Sequence, residues 1–166
     1  MRFHACNIAE YTHVGHADMV YALHACDAAT DKALFLGLKT HARHLLSVSC
    51  CQHTLTKQIK RHPYTGMTRH RVFKEKLAYM AGDALRALLL EMQGYKVDIL
   101  EFVSSRYTGK NILMRAQKGQ GRPQKQLQEE YLVIGEIDTY VWIGDSCWWS
   151  DRYSKCHEFE FRSADW

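Results

Sequence analysis

Apolar and polar positions along the chain fall into runs of two kinds. Asp18-Met-Val-Tyr-Ala-Leu-His24 and Leu45-Leu-Ser-Val-Ser49 are short, nearly unbroken apolar segments. Such runs suit parallel strands buried on both faces. Between them Asp27 or Thr30 can cap a helix running to about Ala42, with Ala33, Leu34, Leu38 and Ala42 on one stripe. Strand, helix and strand at this spacing predict a right-handed βαβ unit.

Further along, Leu77, Ala81, Ala84, Leu85, Leu88 and Leu89 recur at helical spacing and predict a long core helix over Phe73–Met92, stopped by Gly94. Tyr95–Phe102 and Asn111–Ala116 read as strands. The turn between them is too short for a helical crossover, so they should pair antiparallel. Arg2–Ile8 reads as a further short strand, and Pro63 and Gly66 break the stretch after Cys51 into helix and loop. The fold class expected is α/β.

The 166 residues are enough for one domain with a real core, and a composition 46% apolar and 24% charged is that of a globular chain. No apolar run reaches the roughly 18–20 residues of a membrane helix, and the N-terminus lacks a signal-peptide core. The expected compartment is the cytoplasm, with no membrane partner and with the six cysteines reduced. No CxxC pair occurs, so a ribbon-type zinc site, and a metal site in general, is not expected. A mixed site from Cys50, Cys51, His53 and either His41 or His44 stays open.

The net charge of +4 conceals segregation. Lys57 to Lys76 holds seven Lys/Arg against Glu75, and Arg106 to Lys125 holds six and no acid. From Glu129 onward nine acids face three bases, together with all four tryptophans. A basic body suits contact with a polyanion such as RNA, with Lys60, Arg61, His62 and Tyr64 able to hold phosphates and stack on a base.

The candidate chemistry lies where the first two strands end, in His24-Ala-Cys26-Asp27 and Cys50-Cys51-Gln-His53. Ligands of open α/β sheets bind just outside the carboxyl ends of the strands. His24 or Asp27 can accept a proton, and the imidazole is the side chain that changes charge near neutral pH. Equally, His24 can be a supporting residue and Asp27 a helix cap. Cys50 and Cys51 can attack as thiolates, line a pocket or simply pack.

The phrases Ala22-Leu-His-Ala-Cys-Asp-Ala-Ala-Thr-Asp31, Ser49-Cys-Cys-Gln-His53, Asp83-Ala-Leu-Arg-Ala-Leu-Leu-Leu-Glu91 and Lys110-Asn-Ile-Leu-Met-Arg-Ala116 resemble a class I S-adenosylmethionine-dependent methyltransferase family. The Cys-Cys-x-His neighbourhood is similar to that of tRNA ribose methyltransferases acting on the acceptor stem. The resemblance covers residues 1–118, leaving 119–166 as a divergent acidic, Trp-rich tail. It implies a partial Rossmann-like sheet, with equivalents of strands 3, 4, 5, 6 and 7 in the family order 3-2-1-4-5-7-6, and an antiparallel C-terminal hairpin.

It also implies S-adenosyl-L-methionine as methyl donor and tRNA or another RNA as acceptor. His24, Cys26 and Asp27 then stand at the catalytic position, and Asn7, Ile8 and Leu23 near the cofactor. Cys50, Cys51, His53, Lys60 and Arg61 stand toward the acceptor. The family's glycine-rich loop and the acid ending its second strand are not found in this sequence. Two consequences are expected: weak or no cofactor binding by this chain, and an unpaired edge on the Asp18–Leu23 strand that invites self-association.

Overall fold

The computed structural model describes residues 3–8, 10–11, 15–59, 65–119 and 122–135. In chain order they form β1 (Met19–Leu23), α1 (Ala28–Lys39), β2 (His44–Val48), α2 (His53–Gln58), α3 (Thr65–Thr68), α4 (Arg71–Met92), β3 (Tyr95–Glu101), β4 (Ile112–Lys118) and α5 (Gln124–Gly135). The four strands make one mixed sheet in the order β1-β2-β4-β3. β1 runs parallel to β2, with Met19 beside His44 and Leu23 beside Val48. β4 is antiparallel to both its neighbours, which leaves β3 parallel to β2.

Both parallel connections step across the sheet in the same direction, and right-handed crossovers therefore place α1 and α4 on one face. Gly37 of α1 backs onto Val20 and Leu45. Leu85, Leu88, Leu89 and Leu90 of α4 join Leu34, Leu45, Met114 and Ala116 in a single core cluster. α5 packs on α4 and adds Leu127 and Tyr131 to that cluster. Trp142, Trp148 and Trp149 lie outside the described residues.

Four expectations need correction. Phe3–Ile8 contains no strand; Asn7 instead closes a turn, its carbonyl accepting the backbone N–H of Glu10 and of Tyr11. A lone strand has no ladder to satisfy its backbone, so the segment turns. β1 is not buried on both faces: Ala22 is inside, whereas Met19, Tyr21 and Leu23 are 49%, 63% and 58% exposed. Among the described helices, α1 and α4 pack on the sheet, and both use the other face.

The third correction concerns α1, which ends at Lys39 and not near Ala42. His41 takes the left-handed conformation (φ 50°) that glycine usually supplies, with Ala42 N–H bonded to the Gly37 carbonyl and His41 N–H to that of Leu38. No glycine marks this stop. At the end of α4 one does, and Gly94 (φ 79°) ends the helix as expected. The fourth is smaller: α4 starts at Arg71, two residues before the expected Phe73.

No helix among the described residues is long and apolar enough to cross a membrane.

Candidate functional site

The carboxyl ends of β1 and β2 lie side by side, so the loops that follow them, residues 24–27 and 49–53, form one surface. Backbone bonds zip them together: His24 N–H donates to the Val48 carbonyl at 3.1 Å and Asp27 N–H to the Cys51 carbonyl at 3.4 Å. The first loop is bracketed by two non-glycine residues in left-handed conformations, His24 (φ 55°) and Asp27 (φ 47°). Backbone of this kind costs of order 1–3 kcal/mol per residue and persists only where neighbours hold it.

Asp27 precedes α1 but its side chain does not cap that helix. Its carboxylate crosses to the second loop and accepts the Thr54 N–H at 3.2 and 3.3 Å. The positive end of α2 is thus held by a carboxylate from the neighbouring loop. Thr30 ties the first loop from behind, donating its hydroxyl to the Ala25 carbonyl at 2.6 Å.

A buried polar network supports the second loop. Ser49 Oγ donates to Asp83 at 2.9 Å, and the Tyr79 hydroxyl donates to the Ser49 carbonyl. Burial pushes the Tyr79 phenol well up, so it stays a donor. Arg86, 2% exposed, binds Asp31 at 2.6 Å, Asp83 at 3.1 Å and the Gln52 side-chain carbonyl at 3.3 Å. Gly82 lets α4 approach this closely: a Cβ there would lie 2.9 Å from Leu55 and 3.1 Å from Gln52 Nε2.

Three thiols meet on top of the network. Cys26 Sγ and Cys50 Sγ are 2.9 Å apart, and the Sγ atoms of Cys26, Cys50 and Cys51 all lie within 4.8 Å of one another. Cys50 also donates to the His24 carbonyl at 3.4 Å. Hydrogen bonds from Cys50 and Cys51 draw the Cys26 thiol below its ordinary pKa. The hydrogen bond shared with Cys26 raises that of Cys50, and burial pushes Cys51 up to about 12. Lys110, from the β3–β4 loop, lies 6.0 Å from the Tyr79 ring centre, and its positive charge acts weakly to lower the Cys26 and Cys50 thiols.

Of the residues expected at the site, the structure gathers His24, Cys26, Asp27, Cys50 and Cys51, with His53 exposed at the first turn of α2. Leu23 is exposed at the end of the edge strand, and Asn7 and Ile8 occupy the N-terminal turn. Lys60 and Arg61, with His62 and Tyr64, lie outside the described residues. His41 and His44 cannot join Cys50 and Cys51. They stand at the opposite end of β2, a five-residue strand, roughly 16 Å away at the usual rise per residue.

Tyr79, Gln52, Asp83, Arg86 and Lys110 carry the site and have no role assigned from sequence alone. One signal was present for two of them. Asp83 and Arg86 sit three residues apart within the apolar stripe of α4, where charged side chains must be paired to be tolerated.

Residues 1–58 match the family model of a methyltransferase domain. The matched segment, 58 of 166 residues, holds β1, α1, β2 and both strand-end loops. This chain is similar there to a methyltransferase domain, and its open mixed sheet is compatible with that fold. No curated protein and no solved structure matches the chain significantly.

Proposed function

We propose that the chain supplies the acceptor-side face of a class I methyltransferase-type site, with RNA as the acceptor class. The observation that carries this is the placement of residues 24–27 and 49–53 at the carboxyl ends of adjacent parallel strands. The order β1-β2-β4-β3, with an antiparallel strand inserted, supports strand equivalence to 4-5-7-6 of the family sheet.

S-adenosyl-L-methionine, the implied donor, supplies an already activated methyl group. The described residues do not by themselves fit it. Among the described residues no strand lies outside β1, where Met19, Tyr21 and Leu23 are exposed and a cofactor cradle needs a neighbouring strand and a close-fitting turn. No step is therefore routed through the donor. What these residues do is position an acceptor, and orientation is the larger part of what a methyl-transfer site must provide. His24, exposed and held in a left-handed turn, presents an imidazole able to take the acceptor's proton. Asp27 is a positioning residue, since its carboxylate is committed to Thr54.

RNA as acceptor is supported by exposed bases around the loops. Arg69, just before α4, Arg71 and Lys76 in its first two turns, and Lys110 on the β3–β4 loop are all exposed, and Arg71, with a smaller contribution from Lys110, holds the Glu75 carboxyl below its ordinary range. Anisotropy titration of a labelled RNA stem-loop tests the reading. Binding should weaken steeply with salt and fall at least about tenfold in Lys110→Glu with Lys76→Glu. Unchanged binding in that double variant would remove the RNA assignment. Titration calorimetry with S-adenosyl-L-methionine should show weak binding or none; micromolar affinity would overturn the poor fit.

A second reading, a non-catalytic methyltransferase-like binding module, is favoured by the same open edge. Methyl transfer from labelled S-adenosyl-L-methionine into RNA, lost in His24→Ala while RNA affinity is kept, separates the two.

A further inference from the structure

We propose that Cys26, Cys50 and Cys51 form an open binding site for one thiophilic d10 cation, zinc or copper(I). A metal–sulfur bond of about 2.3 Å fixes sulfur–sulfur separations of about 3.8 Å in a tetrahedral thiolate site and about 4.0 Å in a trigonal one. All three Sγ atoms here lie within 4.8 Å of one another, and Cys26 and Cys50, 2.9 Å apart, need to open by about 1 Å through side-chain rotation to share a single ion.

Adjacent cysteines on an extended strand would point to opposite faces. Cys50 and Cys51 follow the end of β2, where the backbone leaves the strand, and both therefore reach toward Cys26. The two loops are already fixed by the Asp27–Thr54 and Ser49–Asp83 bonds, so binding requires no folding step. Burial grades across the site from Cys51, 8% exposed, through half-buried Cys50 to exposed Cys26. One side of the ion would be enclosed and the other left open, as in metal sites that retain a coordination position for solvent or substrate.

Charge supports the same assignment. Three thiolates around a divalent ion leave one negative charge, and around a monovalent ion two. Lys110, whose ammonium lies 6.0 Å from the ring of Tyr79 that bonds the Ser49 carbonyl, offsets part of either. The competing arrangement, a Cys26–Cys50 disulfide, requires a two-electron oxidant and leaves Cys51 without a part.

The experiment uses the full 166-residue chain, reduced and stripped of metal, titrated separately with zinc and copper(I) against chromophoric chelators, and with cobalt(II) as a spectroscopic probe. One ion per chain should bind, cobalt should show thiolate charge-transfer bands, and Cys26, Cys50 and Cys51 should be protected from alkylation. Tighter competition by zinc or by copper(I) identifies which ion the site selects. Cys26→Ser, at an exposed position, should weaken binding at least about tenfold without unfolding the chain, whereas the Cys6→Ser, Cys147→Ser, Cys156→Ser combination should retain it. Unchanged affinity in Cys26→Ser, binding lost in the combined control, or a Cys26–Cys50 disulfide in freshly isolated protein would each overturn the proposal.

Discussion

Arg86 of α4 and Asp31 of α1 meet at 2.6 Å in the interior, the guanidinium 2% exposed. The pair joins the two helices that flank the strand-end loops, and Arg86 continues to Asp83 and Gln52. Taking one partner from a buried pair strands the other charge, at a cost of about 3–5 kcal/mol. Arg86→Ala should lose stability of that order in urea denaturation. Arg86→Lys should recover part of it, because one ammonium cannot serve three acceptors in fork geometry.

Asp83 adds a pH dependence. Burial raises its carboxyl above the ordinary range, with Arg86 and the Ser49 hydroxyl opposing. The folded state then holds the proton more tightly than the unfolded chain does. Asp83's contribution to stability is full below the unfolded pKa of about 3.9 and is lost as pH rises through the raised folded value. Urea midpoints against pH should therefore fall less across that window in Asp83→Asn than in the parent. Identical profiles would show that Asp83 ionises normally.

The βαβ unit and the hairpin were legible because each rests on local patterns: apolar runs closed by turn residues, and a helical stripe ended by Gly94. The Schellman stop at His41 was not, since histidine, though enriched there, is a far weaker signal for left-handed backbone than glycine. The one-sided burial of β1 was not visible in its own residues either, because Met19-Val-Tyr-Ala-Leu23 reads the same whether or not helices cover both faces. At the site, the sequence showed which residues end the strands. It did not show that Asp27 would reach Thr54, or that Cys26 would join Cys50 and Cys51, because both depend on the lateral pairing of β1 with β2.

The Asp27 contact with Thr54 makes a separate prediction. Asp27→Ala removes an acceptor at the start of α2 and should cost about 1 kcal/mol. Asp27→Asn keeps an acceptor oxygen and should cost less. Hydrogen exchange at the Thr54 amide reads the effect directly: faster in the alanine variant, close to the parent in the asparagine one. Equal exchange in all three would remove the cross-loop cap.

Among the described residues no strand pairs with the outer edge of β1, and self-association through that edge is the expected behaviour at high concentration. Asp18 accepts from His44 N–H and His24 donates to Val48, so the even-numbered positions face β2. By the two-residue period of a strand, Met19, Tyr21 and Leu23 turn their own N–H and C=O groups to the open edge. The same three side chains form an exposed apolar row. An edge of this kind is self-complementary, and a second copy can pair antiparallel across a two-fold axis. Sedimentation should show mass rising with concentration, and Tyr21→Lys should return the chain to monomer because charged edge residues oppose pairing. A parent chain that stays monomeric at every concentration would show that the edge is protected by other means.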